Sequence, residues 1–231
     1  MGWIGGATVL TYRFIALLII WPTQSALAIS CPDSDVELTG EPPSAQVAQI
    51  CTAVTAALAF LEPLGLDQRR LIRIDVVERP LMEKQQPLYG SYDATQDLVR
   101  VMSYTAIERQ SLNPRIYDQP FDRWQYTGVV AHEVAHAIVA QHAPGLNRTA
   151  QEYLAHATQL AVQPIERRSI IIERADVDPW QLDDVISDIY MAMALTQFAV
   201  KCYQHLSTHP QPQELVQMLL NSKWKYVVVT R

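Results

Sequence analysis

Two histidines and a glutamate stand at positions 132, 133 and 136, in the run Gly128-Val129-Val130-Ala131-His132-Glu133-Val134-Ala135-His136-Ala137-Ile138-Val139-Ala140. On a helix, His132 and His136 project from one face one turn apart, so both imidazoles can grip a single cation. Glu133 lies one step round from His132, within reach of a water on that cation without being a ligand itself. Within residues 128–140 these three are the only polar side chains. A helix apolar on nearly every side is a buried one. Burying two imidazoles and a carboxylate without partners costs several kcal/mol. A divalent ion offsets that cost, so Zn2+ is the expected cofactor, with a hydrogen-bonded core network as the competing explanation.

Two imidazoles alone hold zinc poorly, and a catalytic site needs a third protein ligand besides water. Three residues are candidates. Glu152 follows His136 by sixteen positions, beyond a turn at Pro144-Gly145 that lets a second helix return past the first. Thr149-x-x-Glu152 is also a capping box, which explains the same glutamate without metal. His156 lies one turn beyond Glu152 on the same face, placed either to bind the ion or to orient a ligand. His142 has the spacing of a metzincin third ligand. The glycine that would swing the chain back is replaced by Val139, so on a continuous helix His142 lies ~15 Å of rise from His132.

The elements that must position these groups follow from periodicity and breakers. Ser44 can cap a helix whose apolar positions run from Val47 to Leu61, ended by Pro63 and Gly65. Residues 71–78 alternate as a strand, and residues 87–92 and 97–103 read as a hairpin about Asp93-Ala94-Thr95-Gln96. A short helix begins near Thr105. Helices are then expected over about 123–142, 149–163 and 181–206, with a last one after Pro212. Helix, strands, then helices is the order of an α+β domain with a small N-terminal sheet and a helical C-terminal half.

The 231 residues include 18 Lys+Arg against 24 Asp+Glu, a net charge of −6 that offers no basic stripe for nucleic acid. Hydrophobic residues make up 49% of the chain, enough for a core and too many for disorder. Residues 1–28 have export chemistry: Arg13, the apolar run 14–21, Pro22, then Ala26-Leu27-Ala28 before a cleavage point. One domain is expected over 29–231, periplasmic or secreted, with no stable membrane span once the leader is removed. Of the three cysteines, Cys31 and Cys51 are the local disulfide candidate and Cys202 is left over.

His132-Glu133-x-x-His136 with Glu152 downstream resembles the gluzincins, the thermolysin-like zinc metallopeptidases. The run Gln151-Glu152-Tyr153-Leu154-Ala155 through Gln159, with the exported N-terminus and early cysteines, is similar to secreted bacterial zincin-like proteins of an uncharacterised family. The interval to Glu152 is shorter than in thermolysin-like enzymes, and the Asn that commonly precedes their ligand Glu is missing. The resemblance implies a zincin-like fold and a Zn2+ ion on His132, His136 and Glu152. It further implies Glu133 as general base of an exported hydrolase, a peptidase acting on a peptide or protein substrate. Tyr153, His156 and Tyr190 are the candidates for steadying the transition state. The upper sheet would then bind extended peptide along an edge strand, expected at 97–103. The alternative is a catalytically inactive zincin-fold protein of the envelope that binds metal or a partner.

Overall fold

The computed structural model describes residues 1–2, 28–40, 42–83, 86–110, 114–181, 184–221 and 227–228. The leader expected over 1–28 falls outside the described residues except at 1, 2 and 28. From the N-terminus come β1 (Ile29–Ser30), β2 (Val36–Thr39), α1 (Ser44–Leu61), β3 (Ile72–Val77), β4 (Leu81–Glu83), β5 (Gln86–Leu88), β6 (Gly90–Asp93) and β7 (Leu98–Met102). There follow α2 (Tyr104–Gln110), β8 (Arg115–Ile116), β9 (Gln119–Pro120), α3 (Arg123–His142), α4 (Arg148–Ala161) and α5 (Ile165–Ala175). The chain ends through β10 (Val185–Ile186), α6 (Asp188–Met193), α7 (Leu195–Thr208), α8 (Pro212–Leu220) and β11 (Val227–Val228). The fold is α+β, a small mixed sheet followed by a helical half.

The main sheet has the order β1-β2-β3-β7-β6. β2 and β3 run parallel because α1 crosses over between them, and β3 is also parallel to β7. β6 and β7 form the expected hairpin, Gly90 opposite Val101 and Asp93 opposite Leu98. The edge strand is therefore β6, not 97–103. The hairpin inserts β7 between β3 and β6, a non-local pairing that leaves no trace in local alternation.

α3 runs through the middle of the molecule, packed on α1, on α4 and on β6 and β7. Val130, Ala131, Val134, Ala135, Ile138 and Val139 along it have no exposed surface. The side chain of Asp122 caps its start by accepting from the amides of Trp124 and Gln125. At its far end Gln141 accepts from the amides of Arg69 and Arg70 and donates to the Arg70 carbonyl, which pins the loop before β3. α1 is long and apolar enough to cross a membrane by length and composition. It instead buries Ile50, Ala53, Val54, Ala57 and Leu61 in the core.

Three local expectations are corrected. Ser44 is the first residue of α1 rather than its cap; the Pro43 carbonyl receives the Gln46 and Val47 amides instead. The stretch 181–206 is not one helix: β10 precedes α6, and α6 and α7 are separated at Ala194, whose φ of −147° and ψ of 63° break the ladder. α5 went unread because Pro164 looks like a terminator. The same fixed φ also opens a helix, and Pro164 sits at the N-cap of α5.

Cys31 and Cys51 form a disulfide that ties β1 to α1, and Cys202 is a buried free thiol. The bridge closes a loop with a sequence separation of 20, which restricts the unfolded chain by about 3 kcal/mol. Replacing both cysteines by Ser should lower the unfolding free energy by about that amount. Equilibrium urea unfolding checks it, and an unchanged midpoint would show that the bridge adds nothing.

Candidate metal centre

α3 and α4 pass each other in opposite directions, so each pair of facing residues climbs one helix while descending the other. His136 faces Glu152, His132 faces His156, and Gly128 faces Gln159 and Gln163. Gly128 leaves room for these two side chains: a Cβ there would lie 2.5 Å from Gln163 Nε2 and 3.1 Å from Gln159 Cγ. The capping-box explanation of Glu152 does not hold. The cap of α4 is Asn147, whose side chain accepts from the Ala150 amide at 3.0 Å, while Thr149 is buried within the helix. Glu152 is thereby free of the helix end and turned onto α3.

Four side chains converge there. His132 Nε2 and His136 Nε2 lie 3.1 Å apart. Glu152 Oε2 lies 3.5 Å from His132 Nε2, 3.8 Å from His136 Nε2 and 3.7 Å from His156 Nε2. Arg148 Nε approaches the other carboxylate oxygen at 3.4 Å. The donor atoms of His132, Glu152 and His156 all lie within 4.8 Å of one another. Glu152 and His156 are thus not alternatives, because the crossing of α3 and α4 brings both.

The donor set fits a metal ion. Neighbouring ligands of tetrahedral zinc, bound at about 2.0–2.1 Å, sit about 3.3 Å apart, close to the spacings seen. One shared proton can bridge only one pair of these atoms, whereas a cation can meet three of them at once, His132 and Glu152 with either His136 or His156. His132 Nδ1 is buried with no hydrogen-bond partner among the described residues, so the ring is placed by packing and by what its Nε2 meets.

The charges agree. Burial works against an ionised Glu152, yet its hydrogen bond with His132 and the surrounding imidazoles hold it well below the usual carboxylate range. Burial also opposes a charged His132, but the carboxylates of Glu152 and Glu133 overcome it and raise its pKa. His136 is pulled down to about 4 and His156 to about 3, in each case first by burial and then by the charge on His132. The pocket accepts one positive charge at its centre and rejects a second proton.

Glu133 stands beside this cluster. Burial pushes its carboxyl up to about 7, opposed in part by His132. Gly90 of β6 lies against it: a Cβ on Gly90 would fall 2.6 Å from Glu133 Cγ and 2.8 Å from Oε1. The edge strand and the carboxylate are therefore in contact, and only glycine leaves the carboxylate its place. Gly90→Ala should keep the fold and the metal site but displace Glu133. If Glu133 serves as a general base, a displacement of ~1 Å should cost about 100-fold in turnover, so steady-state kinetics beside a metal assay checks this.

The remaining sequence candidates lie elsewhere. His142 Nε2 meets the Asp67 carbonyl at 2.8 Å, at the far end of α3. Tyr153 is fully buried with its hydroxyl 2.9 Å from His205 Nδ1, so its ring belongs to the core. Tyr190 packs on Trp180 with ring centroids 5.4 Å apart. Neither tyrosine lines the cleft.

That cleft, about 1440 Å³, is lined by the cluster, Glu133 and β6. Met82 of the β4–β5 hairpin and Ile189 and Met193 of α6, all exposed, also line it. It exceeds the few hundred to ~1,000 Å³ of a small-molecule pocket.

Tyr117 was not anticipated. It and Asp118 form the two-residue tip of the β8–β9 hairpin, with φ of 51° and 58°. Such left-handed turns favour Asn and Gly, and an ordinary side chain loses roughly 1–2 kcal/mol there. Thr196 of α7 steadies the tip by donating to Asp118 Oδ2 at 2.9 Å. The strained tip buries the Tyr117 ring against His156. A clue was available: Gln159 follows His156 by three, which puts an amide on the same side of α4 as the histidine.

Residues 36–229 match a family of unknown function (DUF6639). No curated protein and no solved structure matches the chain.

Proposed function

We propose that this chain, which belongs to the DUF6639 family, is an exported zinc-dependent hydrolase of gluzincin type that cleaves peptide bonds. The observation that carries the reading is the meeting of His132, His136 and Glu152 around one point with Glu133 beside it. His132, His136 and Glu152 would hold the ion through Nε2, Nε2 and Oε2. Zinc in such a setting supplies Lewis acidity that brings the pKa of a bound water toward ~7.

Glu133 takes the proton of the attacking water on a carboxylate oxygen. Burial supports this role by bringing its basicity near neutral pH. Glu133 then passes the proton to the nitrogen of the leaving amine. β6 lies at the end of the sheet order and along the cleft, so its outer backbone groups can pair with an extended substrate. Gly90 keeps that strand close to Glu133. The Cys31–Cys51 bridge suits an oxidising compartment, periplasmic or extracellular.

A second reading rests on His156. A fourth converging donor is what a structural zinc site has, which fits a catalytically inactive metal-binding protein of the envelope. Incubating the zinc-loaded mature protein with a mixture of unstructured peptides, read by mass spectrometry, separates the two. Cleavage at consistent positions supports the hydrolase; intact peptides at every pH from 6 to 9 would leave the inactive protein.

A further inference from the structure

The Tyr117 hydroxyl sits 2.6 Å from His156 Nδ1 and 2.7 Å from Gln159 Oε1. A phenol has one proton, and an amide oxygen only accepts. Tyr117 therefore donates to Gln159, and its oxygen accepts from the Nδ1–H of His156. The tautomer follows: Nε2 of His156 carries a lone pair and no hydrogen. That lone pair stands 3.7 Å from Glu152 Oε2 in a site where both side chains are largely buried. Two acceptors facing each other there repel, and no hydrogen bond among the described residues supplies His156 Nε2 with a proton.

We propose that His156 is a fourth protein ligand of the metal, through Nε2, and that Tyr117 is the positioning residue that fixes its tautomer. The proposal rests on the zinc site of His132, His136 and Glu152 and adds a ligand to it. An Nε2 without hydrogen cannot donate to a developing oxyanion, so His156 is removed from the transition-state candidates. Three imidazoles and one carboxylate would then be available to hold the ion, and an attacking water would bring the number to five, which zinc reaches in transition states. The role also accounts for a tyrosine at the left-handed hairpin tip, where Asn or Gly fits better. Removing the phenol leaves Nδ1–H unpaired in a buried site and lets the ring turn or change tautomer.

The test is titration of metal-free protein with Zn2+ against a chromophoric chelator, and with Co2+ followed by visible absorption. Partners that orient metal-bound histidines are worth about 10–100-fold in affinity. Tyr117→Phe should weaken Zn2+ binding by about that factor, and His156→Ala by at least as much. Both should change the Co2+ ligand-field bands in position or intensity, which a loss of packing alone does not do. Gln159→Leu serves as the second probe of the relay if Tyr117→Phe does not fold. Wild-type affinity and an unchanged Co2+ spectrum in His156→Ala would overturn the ligand while leaving the three-ligand site standing. A wild-type chain that takes up neither ion would overturn both.

Discussion

Glu133→Gln should abolish hydrolysis while leaving zinc content and fold intact. The substitution keeps the shape of the side chain and removes its ability to accept a proton. Glu133 lines the same cleft and feels the charges of His132 and Glu152, but the proposed ligand set does not include it, so bound zinc should stay. Positioned proton transfer contributes about 100- to 10,000-fold, and turnover should fall by at least that much. Burial already raises the carboxyl to about 7, so a neutral amide at this position costs the fold little. Kinetics on any peptide the wild type cleaves, with metal analysis of the same samples, measures both effects. Unchanged turnover in Glu133→Gln would remove Glu133 from the mechanism.

Loss of one imidazole should act in the opposite way, on the metal first. His136→Ala leaves Glu152 and His132 facing an empty corner of a site that is largely buried. If zinc binds the wild type as proposed, free zinc at about 1,000 times Kd should stabilise the folded chain by about 4.1 kcal/mol. For a domain of this size each kcal/mol moves Tm by roughly 2–4 °C, so zinc should raise Tm on the order of 10 °C. In His136→Ala that zinc-dependent rise should vanish, and chelation of the wild type should reproduce the variant's melting curve. Calorimetry with and without chelator decides it; an identical rise in both proteins would show that zinc binds elsewhere.

Much of the local structure was legible because its causes are local. The apolar run and the capping Asp122 define α3 over the expected 123–142, and four residues of turn propensity define the β6–β7 hairpin. The pairing of Cys31 with Cys51 follows from their nearness in the chain. What could not be read is set by contacts between distant segments. Whether Glu152 or His156 reaches the histidines looks like a choice on one helix face. The crossing of α3 and α4 at Gly128 admits both. The edge role of β6 depends on β7 pairing with β3 across the intervening hairpins. Tyr117 was missed because its hairpin is two residues a side, too short for any alternation to show.

The most direct measurement is the metal content of the mature protein, exported, purified without a histidine tag and analysed by inductively coupled plasma mass spectrometry. One zinc per chain, retained through gel filtration and absent from His132→Ala and His136→Ala, is the predicted result. A wild-type chain that carries no stoichiometric zinc, and acquires none when zinc is supplied, would contradict the account.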